Sequence, residues 1–243
     1  MRPRARCAMI RSIRANAHNP PVLLIPGFMC GDPSMRPLAT FLRAHGHSPY
    51  PAGIACNVDC SEAALGRLHA LVAELAERHE RGVALVGHSR GGLFARVIGQ
   101  RSPELVSTVV TLGTPHRDPW RVHPWLLAQA LALSVLGSLG LPGIMRPGCA
   151  ISGSCCSGFW RDLAAPLSPG VDFLSIFSTT DQIVDWRACL DAGGRHAEVR
   201  TDHHDLPAHP SALRLVLAAL EATEATASLV AVEPDTPVVE RAA

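Results

Sequence analysis

The chain has no lysine, one tyrosine and few aromatic side chains, 5% of its 243 residues. Arginine therefore supplies all 22 basic charges against 21 acidic ones, and the net charge of +1 is spread along the sequence without a basic stripe. That distribution removes the electrostatic case for a nucleic-acid partner. Long unbroken apolar runs are also missing. The longest candidate, Trp125 to Leu141, is interrupted by Gln129, Ser134, Gly137, Ser138 and Gly140, so no transmembrane segment is expected. Residues 1–19 carry Arg2, Arg4, Arg6, Arg11 and Arg14 but no continuous apolar core of the kind a secretory signal needs. They read as a flexible basic segment, and cytoplasmic residence is the expectation. No internal repeat and no second domain are visible, and the length suits one domain that builds its core without a staple.

Metal-binding spacings are absent too. There is no C-x-x-C pair and no H-E-x-x-H, and the neighbours Cys155 and Cys156 are not expected to face one tetrahedral ion together. Adjacent His203 and His204, with Asp205 and His209, likewise make a poor metal set, so no metal and no cofactor are expected. The eight cysteines are Cys7, Cys30, Cys56, Cys60, Cys149, Cys155, Cys156 and Cys189. Cys56 and Cys60 are close enough in sequence to bridge, and Cys149, Cys155, Cys156 and Cys189 can pair within one region, which keeps an oxidising location open. Buried free thiols are the expectation for most of them.

The elements alternate. Pro21 to Pro26 predicts a core strand, Met35 to His45 a helix, and His47 to Pro51 a second strand. Ser61 to Arg81 predicts a helix capped by Ser61 and stopped by Gly82, with Leu65, Leu68, Leu71, Val72 and Leu75 on one face. Strands follow at Val83 to Val86, Leu105 to Leu112, Val171 to Phe177 and Ala197 to Arg200, and Pro207 to Ala222 forms the last helix. This is the pattern of an α/β fold with a mostly parallel central sheet and helices on both faces, whose functional loops gather beyond the carboxyl ends of the strands. The domain is assigned to residues 20–223. Within it, about 117–169 breaks the alternation with an apolar stretch read as a cap inserted over the active face. Its Trp120, Trp125, Leu126, Leu127, Leu131, Leu133, Leu136, Leu139, Leu141 and Ile144 suit either an acyl channel or a small core. Residues 224–243 lose the core pattern and read as a disordered tail.

The chemistry centres on Gly87-His88-Ser89-Arg90-Gly91, a G-x-S-x-G pentapeptide between an apolar strand and the helical pattern of Leu93, Phe94, Val97 and Ile98. A strand that turns sharply into a helix lifts the serine hydroxyl clear of the sheet, and the flanking glycines remove Cβ atoms that would clash. The helix N-terminus behind the serine offers backbone N–H groups to an oxyanion. A serine nucleophile needs a base and an acid that orients it. Asp181 follows the strand ending at Phe177, and His203 and His204 precede the last helix, so the order Ser, Asp, His is filled. Asp185 is the second choice for the acid. Asp191 and Glu198 read as solvated charges, His88 as a group packed beneath the serine, and His116 as a loop histidine without a role.

Over about residues 20–222 the chain resembles the α/β-hydrolase superfamily, in particular its compact lipase and esterase branch. Pro26-Gly27-Phe28 is similar to the oxyanion loop, Gly87 to Gly91 to the nucleophile elbow, and Thr111-Leu112-Gly113-Thr114-Pro115 to the strand end that follows it. Asp181 is similar to the acid turn and Asp202-His203-His204-Asp205-Leu206 to the base loop. In that loop the histidine stands three residues before a leucine. The resemblance implies Ser89 as nucleophile, His203 as base, Asp181 as orienting acid, and the backbone N–H groups of Phe28 and Arg90 as oxyanion donors. Pro26-Gly27 stands where many relatives have His-Gly. The implied activity is hydrolysis of a small-molecule ester or lipid through an acyl-enzyme. An acyltransferase or thioesterase on the same residues, or a noncatalytic binder of hydrophobic ligands, are the rival expectations.

Overall fold

The structure, a computed structural model, describes residues 19–150, 155–191 and 193–230. The basic start and most of the expected tail lie outside the described residues, as does Cys7. Six strands form one all-parallel sheet: β1 (Pro21–Ile25), β2 (Ser48–Pro51), β3 (Val83–His88), β4 (Val106–Leu112), β5 (Asp172–Ser178) and β6 (Arg195–Val199). Their spatial order is β2-β1-β3-β4-β5-β6. The chain winds outward from β1 in one direction and from β3 in the other, so the loops after β1 and β3 open at the point where the winding reverses, the usual crevice for a ligand in such sheets.

Alternation along the strands builds two cores. Leu23, Ile25 and Leu85 face α2 (Ser61–His79) and α3 (Arg90–Arg101), joined by Phe94, Val97 and Ile98. Val22, Leu24, Val86, Val110 and Ile176 point the other way, onto α1 (Arg36–Ala44) and the last helix, with Leu38, Leu42, Val216 and Leu220. The register aligns the strand ends. Ile25 pairs with Gly87, His88 with Leu112, Leu112 with Ile176, and Ser178 with Val199. Loops carrying Phe28, Ser89, Asp181 and His203 therefore all leave the same edge.

Several element boundaries differ from expectation for local reasons. Cys60 is the N-cap of α2 and Ser61 its first helical residue. The hydroxyl of Ser61 is engaged by an arginine of another element instead, as described below. The helix ends at Glu80, which takes a left-handed conformation at φ 51°, before Gly82 is reached. Gly82 serves close approach: a Cβ there would stand 3.0 Å from the backbone nitrogen of Ser107. The last helix starts later and runs further than expected, Pro210–Val230, carrying helix into the region read as tail.

Between β4 and β5 lie α4 (Pro124–Ser138), the single-turn α5 (Pro147–Ala150) and α6 (Ser157–Ala164). The stretch expected to form one cap is divided. Phe159 and Leu163 return α6 to the main core against α3, which leaves α4 and α5 as the apolar cap. Only Ser134 and Gly137 of α4 are buried, and the carbonyl of Met145 occupies the space a Cβ on Gly137 would need. The helix thus packs through small residues, while Trp125, Leu131 and Leu139 are 67%, 60% and 75% exposed. Leu131 and Leu139 thus join no core, whereas Trp125, although exposed, borders the pocket at the strand ends described below.

Candidate active site

Ser89 forms the apex between β3 and α3, at φ 51° and ψ −120°. A side chain strains this conformation, and the surroundings fix it. The Ser89 N–H donates to the carbonyl of Leu112 at 2.8 Å, and its carbonyl accepts from the Gly92 N–H and the Thr114 hydroxyl, both at 3.0 Å. The glycines are required by crowding. A Cβ on Gly87 would collide with the backbone of Gly91 and Gly92, and one on Gly91 with the carbonyls of Ile25 and Pro26.

Asp181 and His203 meet across the sheet edge. His203 Nδ1–H donates to Asp181 Oδ2 at 2.6 Å, and both side chains are almost fully buried. The other carboxylate oxygen of Asp181 accepts from the backbone N–H groups of Ile183 and Val184, each at 2.8 Å. A carboxylate pinned by two amides holds the imidazole in one orientation through Nδ1 and leaves Nε2 outside that bond. His204 is exposed and has no such partner among the described residues. Asp185 is committed elsewhere: it caps a short turn by accepting from Arg187 N–H and pairs with Arg121 at 2.9 Å. The Arg187 amide, against a small burial cost, and then Arg121 hold its carboxyl below the usual range.

His88, Ser89 and His203 line one pocket together with Gly27 and Phe28. His88 Nε2–H donates to the carbonyl of His203 at 3.0 Å, and the two rings are 4.8 Å apart. Burial, then the neighbouring His203, pushes the His88 pKa down to about 3. It is thus a neutral support beneath the serine. Phe28, Ser89 and Arg90 also border an adjoining apolar pocket walled by Leu93, Trp120, Leu126, Leu127, Met145 and Trp160. Part of the cap therefore lines the space beside Ser89, through Trp120, Leu126 and Leu127.

Comparison with known proteins identifies the fold. A family model described as a PGAP1-like alpha/beta domain matches residues 59–132. A triacylglycerol lipase of Pseudarthrobacter phenanthrenivorans is 38% identical over 80 residues, 31% of this chain and 25% of that protein. One from Burkholderia plantarii is 38% identical over 80 residues, 31% of this chain and 22% of that protein. The match thus spans about a quarter of the length of these curated relatives. Among solved structures, Bacillus licheniformis lipase BlEst2 aligns with a TM-score of 0.65 at 15% identity, over 84% of this chain and 92% of that one. Paleococcus ferrophilus monoacylglycerol lipase aligns at 0.56 and 14% identity, over 85% and 96%. The chain has the α/β-hydrolase fold.

Around this site the structure adds one residue that the sequence reading did not weigh, Asn57, and a role for the side chain of Arg90, which was weighed only for its backbone N–H. Asn57, wholly buried in the loop between β2 and α2, donates from Nδ2 to the Pro26 carbonyl at 2.8 Å. Its Oδ1 accepts from Arg90 Nη1 at 2.6 Å, and its carbonyl accepts from the Met29 N–H at 3.2 Å. The Arg90 side chain continues to the Asp59 carbonyl at 2.6 Å and the Ser61 hydroxyl at 3.1 Å. Burial lowers the Arg90 pKa to about 10. Asn57 and Arg90 thus tie the loop holding Phe28 to the Ser89 turn. A lone asparagine in an irregular loop carries no spacing signal, so only the fold reveals it.

Two other expectations change. Asp191 is no solvated charge, for it pairs with the nearly buried Arg96 at 2.7 Å. His116 is buried edge-on against Phe173, with Asp191 Oδ2 4.0 Å from Nε2. Burial, then the nearby Arg96 charge, lowers its pKa to about 4. Glu198 is exposed and accepts from the Thr179 hydroxyl at 2.6 Å. The cysteines depart most from expectation. Cys60, Cys149, Cys155 and Cys156 converge, and the adjacent Cys155 and Cys156 place their sulfurs 3.8 Å apart, facing one another where they were expected to diverge. Burial alone would raise the Cys60 thiol, but backbone N–H and neighbouring thiol hydrogen bonds outweigh it and hold the pKa below the usual value. No helix of the described residues is long and apolar enough to cross a membrane.

Proposed function

We propose that this protein is a serine hydrolase that cleaves carboxylic esters of lipid-like acids through an acyl-enzyme. The observation that carries the reading is the buried Asp181–His203 pair, closed at 2.6 Å, opening on the same pocket as a strained Ser89 at a strand-to-helix apex. His203 takes the proton of Ser89 as the hydroxyl attacks the ester carbonyl, and then gives it to the departing alcohol. Water, activated by the same imidazole, releases the acid and restores the serine. Asp181 fixes the imidazole tautomer and stabilises its charged form. The N–H groups of Phe28 and Arg90 receive the oxyanion, with Arg90 at the start of α3, where backbone donors and the helix dipole favour negative charge. Serine chemistry of this kind needs no cofactor.

The apolar pocket walled by Leu93, Trp120, Leu126 and Trp160 supports an acyl chain as the bound group. Similarity over 80 residues to two proteins named triacylglycerol lipases points the same way. The test compares wild type with Ser89→Ala on p-nitrophenyl esters from acetate to palmitate, alongside labelling by a fluorophosphonate probe. Loss of both turnover and labelling in the variant, with an optimum at medium or long chains, is expected. Labelling without ester turnover moves the reading to a thioesterase or acyltransferase. A folded wild type that takes up no probe and cleaves no ester overturns catalysis and leaves a binding protein.

A further inference from the structure

We propose that Cys60, Cys149, Cys155 and Cys156 form a tetrahedral thiolate site for one zinc ion that pins the cap to the body of the domain. The four sulfurs all lie within 4.8 Å of one another. Three separations along this group are 3.5 Å for Cys60–Cys156, 3.6 Å for Cys149–Cys155 and 3.8 Å for Cys155–Cys156. Zinc bound to four thiolates at about 2.3 Å spaces neighbouring sulfurs about 3.8 Å apart. Disulfides have a different signature: bonds of about 2.05 Å would draw the set into two close pairs held apart from each other. Here Cys155 lies 3.6 Å from Cys149 and 3.8 Å from Cys156, and Cys60 lies 3.5 Å from Cys156, so the sulfurs sit at nearly even spacing and no pair is drawn to bonding distance. Iron–sulfur clusters spread their cysteines over two or more irons and need a wider set than one whose members are all mutually this close.

The surroundings suit an anionic centre. Arg146 N–H donates to Cys149 Sγ at 3.4 Å, and first-turn amides of α2, from Glu62 and Ala63, reach Cys60. Such outer donors orient and stabilise metal thiolates. A zinc tetrathiolate keeps two negative charges, and the Arg90 guanidinium is anchored on the Asp59 carbonyl and the Ser61 hydroxyl, the residues on either side of Cys60. As the ion enters, each ligating thiol gives up its proton to solvent, four in all, and no electron moves.

The location gives the ion a purpose. Cys60 begins α2 of the body, whereas Cys149 lies in α5 and Cys155 and Cys156 just before α6. One backbone bond already crosses nearby, from Met145 N–H to the Val58 carbonyl at 2.8 Å. Cys149 also borders the apolar pocket beside Ser89. A bound ion would make that wall rigid. The assignment does not depend on the esterase reading, because its readout is metal.

The experiment uses the full chain, produced with zinc available and purified without chelator under reducing conditions, with metal measured by mass spectrometry. About one zinc per chain is expected. Reduced metal-free protein titrated with cobalt should develop thiolate-to-cobalt charge transfer and tetrahedral ligand-field bands that saturate at one equivalent. Cys155→Ser removes an exposed ligand at little risk to folding and should weaken cobalt binding at least about tenfold, no less than the loss of an outer-shell partner. Cys56→Ser, an exposed thiol outside the group, should leave stoichiometry and affinity unchanged. Protein that carries no zinc, with an intact mass short by two or four hydrogens, overturns the proposal in favour of disulfides. Reduced protein that binds neither metal overturns it outright, and so does cobalt binding unaffected by Cys155→Ser.

Discussion

At the scale of single residues, the bond to Asp181 favours His203 over its neighbour His204 as the proposed base, and the choice can be measured. With the Asp181 bond made by His203, His203→Ala should lower kcat for ester hydrolysis by about 10^4-fold or more, whereas His204→Ala should stay within a few-fold of wild type. Asp181→Asn should cost about 10^4-fold in kcat, because an amide can present its NH2 to Nδ1 and reverse the tautomer. Equal losses in the two histidine variants would reject the assignment. Asn57 makes a second prediction. Asn57→Ala leaves the Pro26 carbonyl and the Arg90 guanidinium short of a partner and should cost about 1–3 kcal/mol in urea unfolding. Asn57→Asp keeps an acceptor for Arg90 but loses the donor to Pro26, so it should recover much of the stability while kcat stays low. Recovery of both would make Asn57 a purely structural residue. Ser89, Asp181 and the His203–His204 pair were legible in the sequence because the elbow motif, the end of β5 and the start of the last helix place them, and the resemblance's register pointed to His203. Asn57 and the cysteine group were not, because they meet only after the loop before α2 and the segment before α6 fold against each other.

At the scale of elements, strands were the easiest to read, since a strand buried on both faces is a continuous apolar run. Helix ends were harder. Ser61 looks like an N-cap, yet its hydroxyl serves Arg90 and Cys60 takes the cap position, a tertiary demand that overrides a local preference. The apolar stretch between β4 and β5 could not be resolved by pattern because α4 is apolar on nearly every side, which identifies burial by no periodicity. The fold answers by burying Ser134 and Gly137 and exposing the leucines. Under the proposed function, the exposed Leu131 and Leu139, on the helix whose Trp125 borders the proposed substrate pocket, would contact a lipid surface. The double variant Leu131→Ser/Leu139→Ser should lower adsorption to phospholipid vesicles and turnover of emulsified triglyceride several-fold, while kcat/KM on dissolved p-nitrophenyl acetate stays unchanged. A parallel loss on both substrates would mean that the face supports the site and not the surface.

At the scale of the whole molecule, the site rests on buried groups that cannot accept charge, and this sets how stability responds to acid. His88 and His116 are both buried, with folded pKa values near 3 and 4 against an ordinary value of 6.5. Their charged neighbours do not reverse this: Asp181 and the backbone carbonyl of His203 favour protonation of His88, but burial with His203 and His204 wins. Around His116, burial with Arg96 and His196 outweighs Asp191. The folded pKa lies below the unfolded one, so the unfolded chain takes up these protons first. The stabilising contribution is complete above about pH 6.5 and is lost as pH falls toward the folded values. Between pH 7 and 5 each histidine should therefore remove about 2 kcal/mol of unfolding free energy. Urea midpoints measured across this interval should fall steeply for the wild type, and His116→Gln, which leaves the proposed catalytic groups in place, should flatten the fall by about one proton of linkage. A variant as acid-sensitive as the wild type would show that His116 is protonated in the folded protein, which would place its charge on Asp191 and weaken the hold of that carboxylate on Arg96.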